Sequence, residues 1–334
     1  MSVTSYINTI KAGQNLTRDD SENFLSLILD DQNISDDVIA EALTALTKKT
    51  VTVDEICGFL DSMRARMVHM PNPGDAIDTC GTGGDGHSTF NISTAAALVL
   101  AAGEIKVAKH GNRAATSKCG SADVLESLGV PIDLDPEAAS HALIEHKFVF
   151  LFAPLYHPLL KRLIIVRRQL GFPTVFNLLG PLLNPATVKR QVVGTFSLAN
   201  AELLAQVMMQ MNYEHAIVLT SDDGLDEASL SATVRAFEIK KTVVEGIPLL
   251  ASDYGLAPAP ISAFKGGDAA DNAKLVTASL QPSTTFNAQQ RIVIFNAGLG
   301  FYVSGKTPSI ADGIKKAAEV ISSGAATAKL KELQ

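Results

Sequence analysis

The sequence predicts an α/β protein: a small all-helical N-terminal domain precedes a larger α/β domain, whose mostly parallel central sheet is flanked by helices. Two observations support this prediction. The first part of the chain has the apolar periodicity of helices, whereas the part after residue 70 alternates short apolar runs with helical stretches. That alternation is typical of parallel strands joined by helices. The 334 residues, 46% of them hydrophobic, suffice for two domains with buried cores.

The small domain is expected to span residues 1–69. Helices are predicted over residues 20–30 and from Ser35, a good capping residue, onwards. The sequence Thr52-Val53-Asp54-Glu55 has the spacing of a capping box, which predicts another helix start. The domain is expected to end before residues 70–74, where two prolines and a glycine interrupt helical structure.

The larger domain is expected to span residues 70–334. Short buried apolar runs predict its strands, and longer amphipathic runs predict its helices. The predicted helices cover residues 94–102 and 310–323, the second as the terminal helix. The predicted strands cover residues 76–78, 106–108, 148–152, 216–220, 233–244 and 291–295.

The composition restricts the classes of function. Lys plus Arg number 28 and Asp plus Glu 35, and the net charge of −7 argues against a general nucleic-acid binder. Cys57, Cys80 and Cys119 form neither a disulfide framework nor a zinc motif. Because the sequence has no signal-peptide pattern and no apolar run of about 18 residues, we expect a soluble cytoplasmic protein without membrane or nucleic-acid partners.

The segment Gly81–Gly86, with the sequence GTGGDG, predicts an anion-binding loop. Glycines let backbone N–H groups approach a ligand, and the helix predicted just beyond adds unpaired donors. The segment also matches the dinucleotide fingerprint, but the cationic Lys109–Arg113 stands where that fold needs a carboxylate. It resembles a P-loop as well, but His87 replaces the required lysine. A dehydrogenase and an NTPase are therefore disfavoured.

The segment Lys109–Arg113, with the sequence KHGNR, is predicted to be a cationic loop after the next strand. Neutral hydrogen-bonding groups accompany its charges at Asn112, Thr116, Ser117 and Ser121. Because ligands bind at the carboxyl ends of parallel strands, we expect both loops to hold one ligand with more than one phosphate. The alternative is a surface turn beside a solvated charge cluster.

Two further segments carry side chains that can bind a metal ion or a carboxylate. Ser221–Glu227, with the sequence SDDGLDE, follows a predicted strand and carries four carboxylates. Mg²⁺ commonly binds a few carboxylates together with phosphate oxygens, so the segment predicts a Mg²⁺ site, with a solvated acidic turn as the alternative. Near His157, the arginines 162, 167 and 168 can each hold a carboxylate bidentately. For His157 itself, structural and catalytic roles are both open.

At these residues the chain resembles the anthranilate phosphoribosyltransferases of tryptophan biosynthesis. The matching segments follow the family's order, and their span covers about half of the chain. They are GTGGDG (81–86), FNIST (90–94), KHGNR (109–113), GSADVLESLGV (120–130), FAPLYHP (152–158), FNLLGPLLNPA (176–186) and DGLDE (223–227). Cys119 departs from a common serine, and Leu159-Leu160 depart from smaller or different apolar residues.

The resemblance implies a reaction, a cofactor and an assembly. The phosphoribosyl group of 5-phosphoribosyl 1-diphosphate would pass to the amine of anthranilate, with Mg²⁺ as cofactor. The substrates would bind at the junction of the two domains. Helices from about 160–183 would return to the small domain, and a homodimer would form through that domain.

The resemblance also implies roles for individual residues. Catalytic roles fall to Arg167 and Lys109, with His110 and His157 as candidate bases. Metal contacts are implied for Ser93, Asp226 and Glu227, and anthranilate contacts for Gly81, Asn112 and Arg167. Contacts with phosphoribosyl diphosphate are implied for Gly81, Gly84, Asp85, Thr89, Asn91, Ile92, Ser93, Thr94, Lys109, His110, Gly111, Asn112, Arg113, Ala114, Ala115, Thr116, Ser117 and Ser121.

Two alternative functions are weighed against this one. A pyrimidine nucleoside phosphorylase shares the architecture and acts at C1 with orthophosphate, but usually carries a further C-terminal domain, for which we expect no room in this chain. A non-catalytic, nucleic-acid-binding relative would show a basic surface and would lack the DGLDE or KHGNR segment. Here the net charge is negative and both segments are intact.

Overall fold

The computed structural model describes residues 1–71, 73–114 and 118–334. Three residues predicted to bind phosphoribosyl diphosphate, Ala115, Thr116 and Ser117, lie outside the described residues, as does Asn72 of the predicted boundary segment. The chain begins with the helices α1 (Val3–Lys11), α2 (Arg18–Asp30), α3 (Asp36–Lys48) and α4 (Val53–Arg64).

These first helices start at side-chain caps. The hydroxyls of Ser2, Thr17, Ser35 and Thr52 each accept a hydrogen bond from an N–H group of the first turn. Both hydrogen bonds of the predicted capping box between Thr52 and Glu55 are present, so that prediction is confirmed. The apolar faces of α1 to α4 share one buried core.

A seven-stranded sheet lies at the centre of the rest of the described chain. Its strands are β1 (Ile77–Gly81), β2 (Val107–Gly111), β3 (Phe148–Phe152), β4 (Arg190–Gly194), β5 (His215–Ser221), β6 (Val234–Lys240) and β7 (Val243–Leu249). The spatial order is β3-β2-β1-β4-β5-β6-β7. Strands β1 to β5 pair in parallel, whereas β6 and β7 are antiparallel, so the mostly parallel sheet is confirmed.

Helices cover both faces of this sheet. They are α5 (Ile92–Ala102), α6 (Ser121–Ser127), α7 (Pro136–His146), α8 (Ala153–Tyr156), α9 (Lys161–Leu170), α10 (Phe176–Leu179), α11 (Leu198–Gln210), α12 (Ala269–Ser279), α13 (Ala288–Val303), α14 (Ile310–Ser322) and α15 (Ala325–Glu332). Successive residues of a strand point to opposite faces. In β5, Ile217 packs in the core with α5 and α13, and Ala216 packs in the core with α11.

Three predicted elements of the larger domain need correction. Residues 291–295, predicted as a strand, lie inside α13, because a short apolar run does not distinguish a strand from a buried helix. The single strand predicted over 233–244 is a hairpin of β6 and β7, which turns at Lys241 with φ 56°. The helix predicted as terminal, α14, is followed by α15.

The segment of α9 and α10 contacts the N-terminal helices. Leu163 and Val166 belong to the same buried core as α1 to α4, and that core continues into α11 and one face of the sheet. On the surface, Arg162 Nε donates to Asp36 Oδ1 at 2.7 Å. In the part of the chain that the structure describes, no helix combines the length and apolarity needed to cross a membrane.

Candidate active site

The predicted loops start from one edge of the sheet. Strands β1, β2 and β5 end at Gly81, Gly111 and Ser221. Strands β1 and β2 are neighbours, but β4 lies between β1 and β5. The acidic loop after β5 therefore has to cross the end of β4 to reach the glycine-rich loop after β1.

Gly194, the last residue of β4, leaves room for this crossing. A Cβ atom there would lie 1.6 Å from the carbonyl oxygen of Asp226, and a Cβ atom at Gly81 would lie 2.6 Å from Asp226 Oδ2. In the absence of both side chains, Asp226 Oδ2 accepts a hydrogen bond from Gly83 N at 3.0 Å. Thr82 N donates to the Gly194 carbonyl at 2.9 Å. These contacts join the ends of β1, β4 and β5.

The first turn of α5 receives the second acidic side chain. Ser93 N donates to Glu227 Oε1 at 3.1 Å, in the position that anions occupy at a helix N-terminus. The side chains of Ile92 and Thr94 are buried, so a ligand contact at these residues would use the backbone. Asn91 stands at the N-cap position, yet its side chain does not cap the helix.

Little positive charge compensates the repulsion among three carboxyl groups of the site, those of Asp85, Asp226 and Glu227. Burial, followed by the charge of Asp85, raises the pKa of Asp226 to about 7. Burial, followed by the charge of Asp226, raises the pKa of Glu227 to about 8. Asp85 Oδ2 is buried and has no hydrogen-bond partner among the described residues. A divalent cation would favour the ionised form of Asp226 and Glu227.

These side chains fit Mg²⁺ as a partial ligand set. Within residues 1–71, 73–114 and 118–334, no three His, Cys, Asp or Glu side chains are grouped as a metal cage. Mg²⁺ usually keeps several waters and takes one or two carboxylates together with substrate phosphates, so it does not require such a cage. Asp226 and Glu227 are adjacent, and Ser93 is hydrogen-bonded to Glu227. Their role as metal ligands stays a prediction.

Lys109 lies inside β2, and not in a loop as the sequence predicted. Its side chain is buried, and its Nζ donates to the Thr79 carbonyl and, at 3.4 Å, to Ser93 Oγ. Its positive charge opposes the rise in the pKa of Glu227. Lys109 therefore offsets part of the negative charge at Glu227, because the long lysine side chain reaches across from the neighbouring strand.

Arg113 forms ion pairs with two carboxylates of α6. Its Nη1 lies 3.1 Å from Asp123 Oδ1 and 2.7 Å from Glu126 Oε2. Asp123 also accepts hydrogen bonds from Ala114 N and Gly120 N at 2.9 and 2.8 Å. To contact a phosphate, Arg113 would have to exchange these carboxylates for the ligand.

Gly111, Asn112 and Ser121 come together where β2 ends. A Cβ atom at Gly111 would lie 2.2 Å from Ser121 Oγ, so glycine permits this approach. Ser121 Oγ donates to the Asn112 carbonyl at 3.5 Å, and the side chain of Asn112 is exposed. The structure thus brings these predicted contacts to the same edge as Gly81, with Asn112 open to a ligand.

His110 and His157 form a buried pair of neutral rings, with centroids 5.2 Å apart. Burial lowers the pKa of His110 to about 3 and that of His157 to about 4. His157 Nε2 donates to the Leu183 carbonyl at 2.9 Å, and the Gly180 carbonyl accepts from His110. Such low pKa values make both rings weak bases near neutral pH, so their catalytic roles stay predictions.

Arg167 lies on α9, apart from the strand-end loops. Its Nη2 donates to Asn177 Oδ1 at 3.1 Å, and its guanidinium lies 5.6 Å from the ring centre of Phe176. Its Nε is buried without a hydrogen-bond partner in the described chain, and burial lowers its pKa. A partly buried cation with a spare donor suits a carboxylate ligand.

Three residues at this edge were not identified from the sequence. Gly194 supports the crossing of the acidic loop, and Asn272 donates to Asn91 Oδ1 at 2.9 Å. The ring of Phe196 lies 3.6 Å from the Cβ position of Gly84, against the glycine-rich loop. Strand β4, which ends at Gly194, was missing from the predicted strands, so a search of predicted strand ends would have found neither Gly194 nor Phe196. Asn272 follows no strand.

The fold and this site define a glycosyl transferase of two parts. Residues 4–67 match the glycosyl transferase family's helical bundle domain, and residues 73–327 match its a/b domain. The relatives identify the branch of that family. Anthranilate phosphoribosyltransferase from Chlorobium chlorochromatii (strain CaD3) is 43% identical over 331 residues, which cover 98% of this chain and 94% of the relative. The enzyme of that name from Geobacillus kaustophilus is 43% identical, over 96% of this chain and 94% of the relative.

Solved structures agree with this assignment. Anthranilate phosphoribosyltransferase from Thermus thermophilus superposes with a TM-score of 0.90 at 36% identity, over 98% of this chain and 97% of that one. The Saccharomyces cerevisiae enzyme, in complex with PRPP and Mg, superposes with a TM-score of 0.88 at 27% identity, over 99% and 96%. The chain belongs to the anthranilate phosphoribosyltransferase family.

The neutral histidine pair predicts a loss of stability in acid. In the unfolded chain each histidine has a pKa of about 6.5, so the unfolded state binds protons first as the pH falls. The contribution of this pair to the free energy of unfolding should therefore decrease from about pH 6.5 towards pH 4, whereas the raised pKa values of Asp226 and Glu227 contribute in the opposite direction. In a His157→Gln variant this decrease should be shallower than in the unmodified protein, as measured by urea unfolding at each pH.

The matched control is His141→Gln, because His141 is exposed on α7. That variant should keep the pH dependence of the unmodified protein. Equal slopes for the unmodified protein and His157→Gln would show that the buried pair does not cause the acid sensitivity.

Proposed function

We propose that this chain transfers the phosphoribosyl group of 5-phosphoribosyl 1-diphosphate to the amine of anthranilate, in tryptophan biosynthesis. The products are N-(5-phosphoribosyl)anthranilate and diphosphate. The observation that supports this most is the contact of Asp226 with Gly83, which joins an acidic pair to a glycine-rich anion loop. The relatives named above support the choice of substrates, and they do not favour the nucleoside phosphorylase or nucleic-acid-binding alternatives.

In the proposed reaction, the amine nitrogen forms a bond to C1 of the ribose while the bond from C1 to the diphosphate oxygen breaks. The electron pair of that bond leaves with the diphosphate, and the nitrogen gives up one proton. A neutral aromatic amine is already nucleophilic, so a strong base is not required. His157 uses its Nε2 in a hydrogen bond, which leaves the unpartnered Nε2 of His110 as the better candidate proton acceptor.

The chain's main task is to hold the leaving group and align the nucleophile. The N–H groups of the glycine-rich loop and of the α5 start would bind the diphosphate. Bound at Ser93, Asp226 and Glu227, Mg²⁺ would neutralise charge that develops on the departing diphosphate. Lys109 would favour the ionised form of Glu227, because its buried charge opposes the rise in the pKa of that carboxyl.

We propose that Arg167 binds the anthranilate carboxylate. Its unpartnered, buried Nε and the Nη2 beside Asn177 support this role. Because Arg167 stands on α9 and the phosphate loops end the strands, the two substrates would meet between the helical and α/β parts. Asn112, exposed at the end of β2, would contact anthranilate from the opposite side together with Gly81.

We propose a domain boundary between residues 69 and 70, with the helices of about 160–183 in the small domain. The core that α9 shares with α1 to α4 supports this division.

We also propose a cytoplasmic location. The thiols of Cys57 and Cys80, which form no disulfide in the described chain, agree with it because reducing compartments keep thiols reduced. Cell fractionation that recovers the protein outside the cytoplasm would contradict this location.

We propose that the chain forms a homodimer through the helical domain. Four apolar side chains on and beside α9 are exposed, which supports this because interfaces use exposed apolar surface: Leu159, Ile164, Ile165 and Phe172. Ile165 is 49% exposed and therefore available to a second copy. Sedimentation equilibrium at micromolar concentration should give the mass of a dimer, and Ile165→Asp should shift it towards that of a monomer. A monomer in the unmodified protein would contradict the proposal.

The proposed activity can be tested by fluorescence. Anthranilate emission should decay when the protein, phosphoribosyl diphosphate and Mg²⁺ are present, and should persist when any one is left out. Combined Asp226→Asn and Glu227→Gln substitutions keep the oxygens that accept from Gly83 and Ser93, but remove the charge. We expect them to lower turnover by about 100-fold or more at limiting Mg²⁺, because the leaving group loses its stabilisation.

The matched control is Asp222→Ala, because Asp222 belongs to the same acidic loop but is exposed and paired with Arg235. It should keep near-normal turnover. If the double variant turns over as fast as the unmodified protein at limiting Mg²⁺, the metal role is wrong. If the unmodified protein consumes no anthranilate but cleaves a pyrimidine nucleoside with orthophosphate, the proposed reaction is wrong.

The role of Arg167 makes a prediction about the two substrates separately. Arg167→Ala should raise the KM for anthranilate by about 10- to 100-fold, the usual effect of losing a charged hydrogen-bonded pair. The KM for phosphoribosyl diphosphate should change little. Steady-state kinetics with each substrate varied in turn measures both, and Arg168→Ala, at an exposed neighbouring position, is the control. Equal effects on the two KM values would rule out Arg167 as the carboxylate ligand.

A further inference from the structure

A segment far along the chain closes the candidate site beside the glycine-rich loop. The Phe264 carbonyl accepts from Phe90 N at 2.8 Å, and Gly266 N donates to the Ser88 carbonyl at 2.9 Å. Between these bonds, Thr89 and Lys265 form an antiparallel β-bridge. The stretch of chain between the glycine-rich loop and α5 is therefore paired with residues that lie outside every segment in which the sequence suggested chemistry.

Asn272, on the first turn of α12, completes this contact. Its side chain is 2% exposed, and its Oδ1 accepts from Gly267 N at 2.8 Å. Because a backbone N–H can only donate, this bond fixes which atom of the amide is the oxygen. The other end, Nδ2, must then donate, and it does so to Asn91 Oδ1 at 2.9 Å. The Asn272 amide also hydrogen-bonds to the Cys119 side chain.

The orientation of Asn91 follows from this bond. Because its Oδ1 accepts from Asn272, its Nδ2 points the other way, where the Cys119 carbonyl accepts at the long distance of 3.4 Å. An asparagine at a helix N-cap normally turns its oxygen to the first-turn N–H groups, yet Asn91 makes no such cap. Asn272 therefore holds Asn91 in an orientation that its local sequence does not favour.

The packing of this contact excludes a side chain at Gly266. A Cβ atom there would lie 2.6 Å from Asn272 Oδ1 and 2.9 Å from the Thr89 carbonyl oxygen. The close approach of the two segments thus depends on glycine, as the crossing of β4 does at Gly194. Such an approach brings the buried Asn272 amide within reach of Asn91.

We propose that Asn272 is a positioning residue, which orients the Asn91 amide as a donor to phosphoribosyl diphosphate. This proposal rests on the proposed function, because Asn91 matters only if that ligand binds at the α5 start. With Asn272 in place, the Nδ2 group of Asn91 is turned towards an anion at the start of α5, where Ser93 N already donates to the Glu227 carboxyl. Without it, the Oδ1 atom of Asn91 is free to cap α5 and to compete with the ligand.

A double-mutant cycle between Asn91 and Asn272 tests this. Asn272→Ala should weaken binding of phosphoribosyl diphosphate with Mg²⁺ by about 10-fold or more, the usual effect of losing a hydrogen bond to a charged ligand. Calorimetry without anthranilate measures this affinity. Asn91→Ala should weaken it by a similar factor, and the double variant should be no weaker than Asn91→Ala alone. The KM for anthranilate should stay within about 2-fold in all three.

Two further variants control for the fold. Ser279→Ala alters another buried position of α12 without touching Asn91, and it should bind phosphoribosyl diphosphate normally. Asn272→Ser keeps a small acceptor for Gly267 N but is too short to reach Asn91, so it should repeat the effect of Asn272→Ala if that variant does not fold. Effects of Asn91→Ala and Asn272→Ala that add in the double variant would overturn the proposal. Unchanged affinity for phosphoribosyl diphosphate in whichever Asn272 variant folds would also overturn it. Absence of phosphoribosyl diphosphate binding by the unmodified protein would instead refute the proposed function.

Discussion

The passage of the acidic loop over the end of β4 is the constraint on which the rest of the site depends. Asp226 reaches the glycine-rich loop only because Gly194 and Gly81 have no Cβ atoms in its path. Once it arrives, Gly83 N has a partner, and the adjacent Glu227 meets the first turn of α5. The space left by these two glycines therefore sets how closely Asp226 and Glu227 approach the N–H groups of Gly83 and Ser93.

That arrangement concentrates acidic side chains in a partly buried site. The pKa values of Asp226 and Glu227 rise to about 7 and about 8, chiefly through burial. Lys109 partly offsets this for Glu227 from inside β2, but the same charge also opposes the rise in the pKa of the buried Asp78. The folded protein thus keeps an unbalanced acidic cluster at the mouth of its anion site, and a divalent cation with a phosphorylated ligand would balance it.

Side-chain hydrogen bonds join the end of one returning segment to the sheet. Asn184 Nδ2 donates to the buried carboxyl of Asp78 at 2.9 Å and to the Ala108 carbonyl at 2.7 Å. Gln191 Nε2 donates to the Pro181 carbonyl at 2.7 Å. These bonds connect β1, β2 and β4 to the end of the segment that carries α9. The position of Arg167 relative to the strand-end loops follows from this connection.

The sequence by itself determined the layers of the fold and most of the site, because strand ends, glycines and charges are local signals. Gly81–Gly86 and Asp226-Glu227 were found in this way, whereas Ser93 came from the family resemblance, and the structure brings them together. Tertiary structure alone decided that Lys109 points into the core, that Arg113 is paired with carboxylates, and that Asn272 holds Asn91. Whether a charge is buried, paired or free depends on neighbours distant in the chain, and no local pattern records those neighbours.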